Sequence, residues 1–79
     1  MTFNKEMLMY IVELAGDKEL LATNGKLELF LNRYPDTATT RKELRRLSVL
    51  KFIGFVETNI IYDIIVNQKA KDFVANRCG

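Results

Sequence analysis

Six polar residues crowd one short stretch of the chain: Thr39, Thr40, Arg41, Lys42, Arg45 and Arg46. Lysine and arginine neutralise backbone phosphates and release their counterions, and arginine can also pair through two hydrogen bonds with a guanine edge. Hydroxyls and free amides at the start of a helix suit phosphate oxygens. Gathered at one end of one helix, these groups carry the chemistry to grip duplex DNA, because a helix fits the major groove and its first turns approach the bases. The charge distribution singles out the same place. Residues 41–51 hold Arg41, Lys42, Arg45, Arg46 and Lys51 against Glu43, a net of +4 in a chain whose total is +2, so the remainder is at −2. On an isolated helix such a run is ordinarily a solvated face. The elements around it must decide between the two.

Other chemistries find few residues to work with. The chain has no His and one Cys, Cys78, which leaves neither an imidazole to activate a thiol nor a ligand set for a metal. The ten acids are scattered rather than paired for acid–base work, and the four glycines form no phosphate-cradling loop. The expectation is a protein that is not an enzyme, with no cofactor and no metal. A single cysteine makes no internal disulfide, the opening MTFNKEML holds no signal-peptide core, and no apolar run has bilayer-spanning length. A cytoplasmic protein without membrane contact is expected. With 79 residues, 48% of them hydrophobic and 28% charged, the chain reads as one globular domain over 1–79. A domain this short buries only about 60% of the surface its unfolded chain exposes, so its stability margin should be thin.

The elements that must position the basic stretch follow from periodicity. Residues 4–15 read as an amphipathic helix, with Met7, Leu8, Ile11, Leu14 and Ala15 at helical spacing, Asn4 as its cap and Gly16 just past its end. Residues 17–25 are ambiguous. Leu20, Leu21 and Ala22 suit a short strand or a helical turn, and Asn24-Gly25 could turn a hairpin that pairs LLAT with KLEL. A second helix beginning near Asn24 is preferred, since Leu27, Phe30, Leu31 and Tyr34 form a complete stripe that Pro35 ends. After the polar break DTAT, Thr40 and Glu43 are spaced as a capping box for a third helix running to Ile53, with Gly54 as its stop. Leu44, Leu47 and Leu50 fall on one flank of that helix, and Arg41, Lys42, Arg45 and Ser48 on the opposite one, with Arg46 at the border. Val49, Phe52 and Ile53 make its far end apolar nearly all round, so that end should be the more deeply buried. Residues 55–66 favour strand, with a turn near Thr58-Asn59, and Asn67 can cap a last helix over 68–77.

The stretch TTRKELRRLSVLKFIGFVE, residues 39–57, resembles the recognition helix, glycine and strand of the winged helix-turn-helix families. YDIIVNQKAKDFV, residues 62–74, is similar to their second wing strand and closing helix. The resemblance implies an α+β fold: a winged helix of three helices, a short two-stranded wing and a C-terminal helix. It also implies a small DNA-binding protein, a transcriptional regulator that uses the helix 40–53 as its recognition helix. Thr39, Thr40, Arg41, Lys42, Arg45 and Arg46 would then meet double-stranded DNA. Two departures stand out. The wing is short and carries Glu57 and Asp63 with no Lys or Arg, and the turn NRYPDTAT is longer than the tightest versions of the motif. The acidic wing keeps open a second reading, a protein-interaction module (an inhibitor or assembly factor) on the same scaffold without DNA binding. A homodimer through the first and last helices is expected, with Met9, Tyr10, Phe73 and Val74 as contacts; the competing expectation is a monomer that keeps these residues in its own core.

Overall fold

A computed structural model describes residues 2–19 and 25–77 of the chain. It is a mixed α+β arrangement in the order α1 (Lys5–Ala15), α2 (Leu27–Arg33), α3 (Ala38–Val49), β1 (Ile53–Glu57), β2 (Ile61–Val66) and α4 (Gln68–Arg77). The expected strand or turn at Leu20-Leu21-Ala22, the residue Asn24 and the terminal Cys78 lie outside the described residues.

α1 follows its local signals. The Asn4 side chain accepts a hydrogen bond from the Met7 amide at 3.0 Å, and Gly16 leaves the helix with φ of 59°. Met7, Leu8, Ile11 and Ala15 turn inward. α2 is shorter than expected, beginning at Leu27 rather than near Asn24. Gly25 sits at φ 72°, a left-handed conformation that a right-handed helix cannot contain, so the helix starts beyond it. It buries Phe30 and closes where the Tyr34 amide donates to Phe30, one residue before Pro35.

α3 departs from expectation at both ends. Its cap is Thr37, whose hydroxyl accepts from the Thr40 amide at 3.3 Å, and the Thr40–Glu43 box is not used. Thr40 instead completes an inward stripe with Leu44 and Leu47 and is only 6% exposed. A residue on that stripe belongs inside the first turn and cannot stand half outside it as a cap. At the other end the helix stops at Val49, four residues before Ile53. Lys51 takes φ of 68°, its amide donates to Ser48 at 2.9 Å, and the Phe52 amide reaches Leu47 at 3.0 Å. These two bonds are the paired closure of a Schellman motif, with lysine where glycine is usual. Stopping there frees Phe52 and Ile53 to enter the core, while Val49 is left 68% exposed rather than buried with them. Gly54 does not end the helix. It lies in β1 opposite Ile65, where an added Cβ would touch that side chain at 3.4 Å.

β1 and β2 form an antiparallel hairpin in the register Ile53↔Val66, Gly54↔Ile65, Phe55↔Ile64 and Val56↔Asp63. An irregularity then sets Glu57 opposite Ile61, which leaves Tyr62 as the extra residue on β2. The turn over 58–60 lies where Thr58-Asn59 predicted it. Ile53, Ile61, Ile64 and Val66 face the helices, and the Val66 amide donates to Glu19 at 2.7 Å, joining the segment after α1 to the sheet. α4 begins as expected, but the Asn67 side-chain amide is directed to the Lys51 carbonyl, 3.0 Å away. Lys69 likewise donates to the Leu50 carbonyl at 2.6 Å, so the start of α4 serves the end of α3.

α1 packs on α2 and on α4. Two of the residues considered for a dimer contact are committed within the chain. Phe73 joins Phe3 and Phe52 in an aromatic cluster with centroids 5.0–5.6 Å apart, and Tyr10 lies against Phe30 and Tyr34. Met9 and Val74 are half-buried. Among the described residues no helix is long and apolar enough to cross a membrane.

Candidate nucleic-acid interface

The stripe of Thr40, Leu44 and Leu47 seats α3 on the core and thereby fixes what the helix shows to solvent. The exposed residues of α3 are Ala38, Thr39, Lys42, Arg45 and Val49. No acid stands among them, whereas α1 exposes Glu6 and Glu13, α2 exposes Glu28, and α4 exposes Asp72. Arg41, Glu43 and Arg46 sit half-buried on the flanks. Of the six residues expected at a DNA surface, the structure thus presents Thr39, Lys42 and Arg45 outward and Arg46 beside them. Thr40 is buried with its hydroxyl 3.4 Å from that of Thr37.

Arg41 is not the free, exposed side chain that its place in the sequence suggested. Only 19% of its side chain is exposed. Its Nε donates to Asp36 Oδ1 at 2.6 Å and its Nη2 to Asp36 Oδ2 at 3.1 Å, a two-pronged pair with the residue just before the helix cap. Nη2 also donates to the Asn59 carbonyl in the hairpin turn at 2.9 Å, and Nη1 to Glu57 Oε1 at 3.0 Å. Asp36 completes the connection by accepting from the Ile61 amide at 3.0 Å. Together these bonds fasten the hairpin tip to the N-terminal end of α3.

Arg45, one turn further on, closes on Glu57 through Nε at 2.9 Å and Nη2 at 2.6 Å, yet 57% of its side chain stays exposed. The titration shifts follow from this geometry. Arg41 holds the Asp36 carboxyl below its ordinary value, helped by the Ile61 amide, and Arg45 with Arg41 does the same for Glu57. The same bonds raise both guanidinium groups further above neutrality. Two carboxylates therefore converge on two of the four cations at this end of the helix. Among the described residues neither Lys42 nor Arg46 has an ion-pair partner.

Asp36 and Glu57 belong to this surface, and composition did not bring them to it. Glu57 is 12 and 16 residues from its two arginines, and only the return of the hairpin along α3 makes them neighbours. The acidity of the wing was the available signal, though it said nothing about where the acid points. Among the described residues no three His, Cys, Asp or Glu side chains gather as a metal site. No family model, curated protein or solved structure matches the chain.

Proposed function

We propose that the chain is a winged-helix protein that binds duplex DNA with α3 as its recognition helix, acting as a small transcriptional regulator or accessory factor by occupancy alone. The observation that supports this most is the exposed stripe of α3, where Thr39, Lys42 and Arg45 face solvent without an acid among the helix's exposed residues. The element order, three helices, a hairpin and a closing helix, is compatible with a winged-helix layout. In this reading Lys42, Arg45 and Arg46 supply phosphate contacts or guanine recognition, the Thr39 hydroxyl adds a neutral contact, and Arg41 positions the hairpin. Thr40 acts only by seating the helix. The protein works in the cytoplasm, and as a homodimer it would read two half-sites.

Three cations at about −0.9 each predict that log affinity falls with log salt at a slope near −3 per monomer. Fluorescence anisotropy or gel shift with a non-specific duplex at two salt concentrations measures it. A slope indistinguishable from zero at low ionic strength would sink the proposal. Sedimentation at high micromolar concentration tests the dimer, which a lone 9.1 kDa species would refute.

One observation favours a second reading, a protein-interaction module. The hairpin exposes Val56, Ile60 and Tyr62, the last two by 60% and 63%, beside an arginine pair already matched by acids. Exposed aromatic and aliphatic side chains on a firmly held hairpin suit a protein surface better than a phosphate backbone. A parent protein without salt-sensitive DNA binding would make this the better account.

A further inference from the structure

Resting on the duplex-DNA reading above, we propose that Arg45 alternates between two acceptors. In the free protein it closes on Glu57; on DNA it leaves that carboxylate for a backbone phosphate, while Arg41 keeps Glu57 paired. Glu57 thus stands in for a phosphate, as an internal competitor built into the end of β1.

The geometry distinguishes the two arginines. Arg41 is bound to three different residues, Asp36, Glu57 and Asn59, and little of its side chain is exposed. Releasing it would unfasten the hairpin. Among the described residues Arg45 hydrogen-bonds to Glu57 alone, through a fork of two N–H groups onto two carboxylate oxygens, from the solvent face of α3. A phosphate offers the same pair of oxygens to the same fork. When Arg45 departs, Glu57 retains the Arg41 bond at 3.0 Å and is not left as an unpaired acid. The exchange swaps one charge-assisted pair for another, so it proceeds only where α3 is seated closely enough to bring a phosphate within reach. Affinity for DNA that is not properly seated is held down as a result.

The experiment compares duplex binding by the parent, Glu57→Gln, Arg45→Ala and the double variant at two salt concentrations, with melting curves to confirm folding. Glutamine keeps the size of Glu57 and an oxygen for Arg41 but loses the charge that holds Arg45. Glu57→Gln should tighten binding about two- to fivefold, the range set by an exposed ion pair, and should steepen the salt slope by up to about one. In the Arg45→Ala background the same change should do much less. An unchanged or weaker affinity for folded Glu57→Gln overturns the exchange, and so does an equal gain in both backgrounds, which would mean that Glu57 merely repels phosphate at a distance. Failure of the parent and of Glu57→Gln alike to bind any duplex refutes the DNA reading itself, an outcome distinct from these. A second measurement needs no variant: in NMR of the parent titrated with duplex, the Arg45 Nε–H resonance should shift strongly while that of Arg41 stays in place. Equal movement of both, or movement of neither in a bound complex, also overturns the proposal.

Discussion

The two ends of α3 are held by different physics. At the C-terminal end the chain closes through backbone bonds, Lys51 to Ser48 and Phe52 to Leu47, and then drives Phe52 and Ile53 into the core. At the N-terminal end the helix is tied to the hairpin by the charges of Arg41, Asp36, Arg45 and Glu57 near the surface. Apolar burial holds no charge for dilute salt to screen and is nearly indifferent to pH, whereas surface charge pairs respond to both and can be exchanged for other ions. One end therefore anchors the helix, and the other is available to a charged ligand. The proposed interface lies at the second.

The largest effect should come from the anchored end. Phe52 contacts Phe3 and Phe73 and is almost fully buried, so Phe52→Ala should cost about 3–5 kcal/mol. In a domain of this size that is a large part of the total stability. Urea unfolding checks it. A loss below about 1 kcal/mol, typical of a surface position, would show that the C-terminal anchor is not what the packing indicates.

Arg41→Ala should have a smaller effect of a different kind. It removes the tie between α3 and the hairpin turn, so the melting temperature should fall, less than for Phe52→Ala, and the gap to the parent should narrow at high salt. The pH dependence has a definite sign. Asp36 and Glu57 are held below their ordinary values of 3.8 and 4.5. A carboxylate with a depressed folded pKa adds stability above its unfolded pKa and loses it as pH falls through the folded value. The parent should thus lose stability on acidification below those ordinary values, and Arg41→Ala should show a shallower acid limb. Melting curves across that range at low and high salt make the comparison. Equal sensitivity of the two proteins to salt and acid would show that the Arg41 bonds to Asp36 and Glu57 contribute nothing at this end.

The same contrast explains what the sequence disclosed. α1 was legible because its cap, its stripe and its stop all lie within a few residues, in Asn4, Met7–Ile11 spacing and Gly16. The hairpin was legible from its β-branched run. The basic cluster was visible too, being contiguous, but its partners were not: Glu57 reaches Arg45 and Arg41 only through the return of the chain. The misplaced end of α3 has the same origin. Gly54 looked like the stop because glycine best tolerates a left-handed turn, yet the core needed Phe52 and Ile53, and the turn had to occur before them at Lys51. Tertiary demand overrode local preference at that position.

The smallest expected effect tests this last point and has the opposite sign. Lys51 holds φ of 68° without being glycine, a conformation in which its Cβ crowds the backbone. Lys51→Gly removes that crowding, at the cost of a more flexible unfolded chain. The Asn67 bond to the Lys51 carbonyl depends only on the backbone and is retained. The balance should favour the variant by about 0.5–1 kcal/mol, read as a higher urea midpoint with an unchanged slope. Because Lys51 stands at the anchored end, away from Lys42 and Arg45, the variant should lose little of the salt dependence of the proposed DNA binding. A destabilised Lys51→Gly would mean that the lysine side chain contributes more at the end of α3 than its exposed position indicates. A stabilised variant whose salt slope drops by about one would instead place Lys51 among the phosphate contacts and extend the interface along the whole helix.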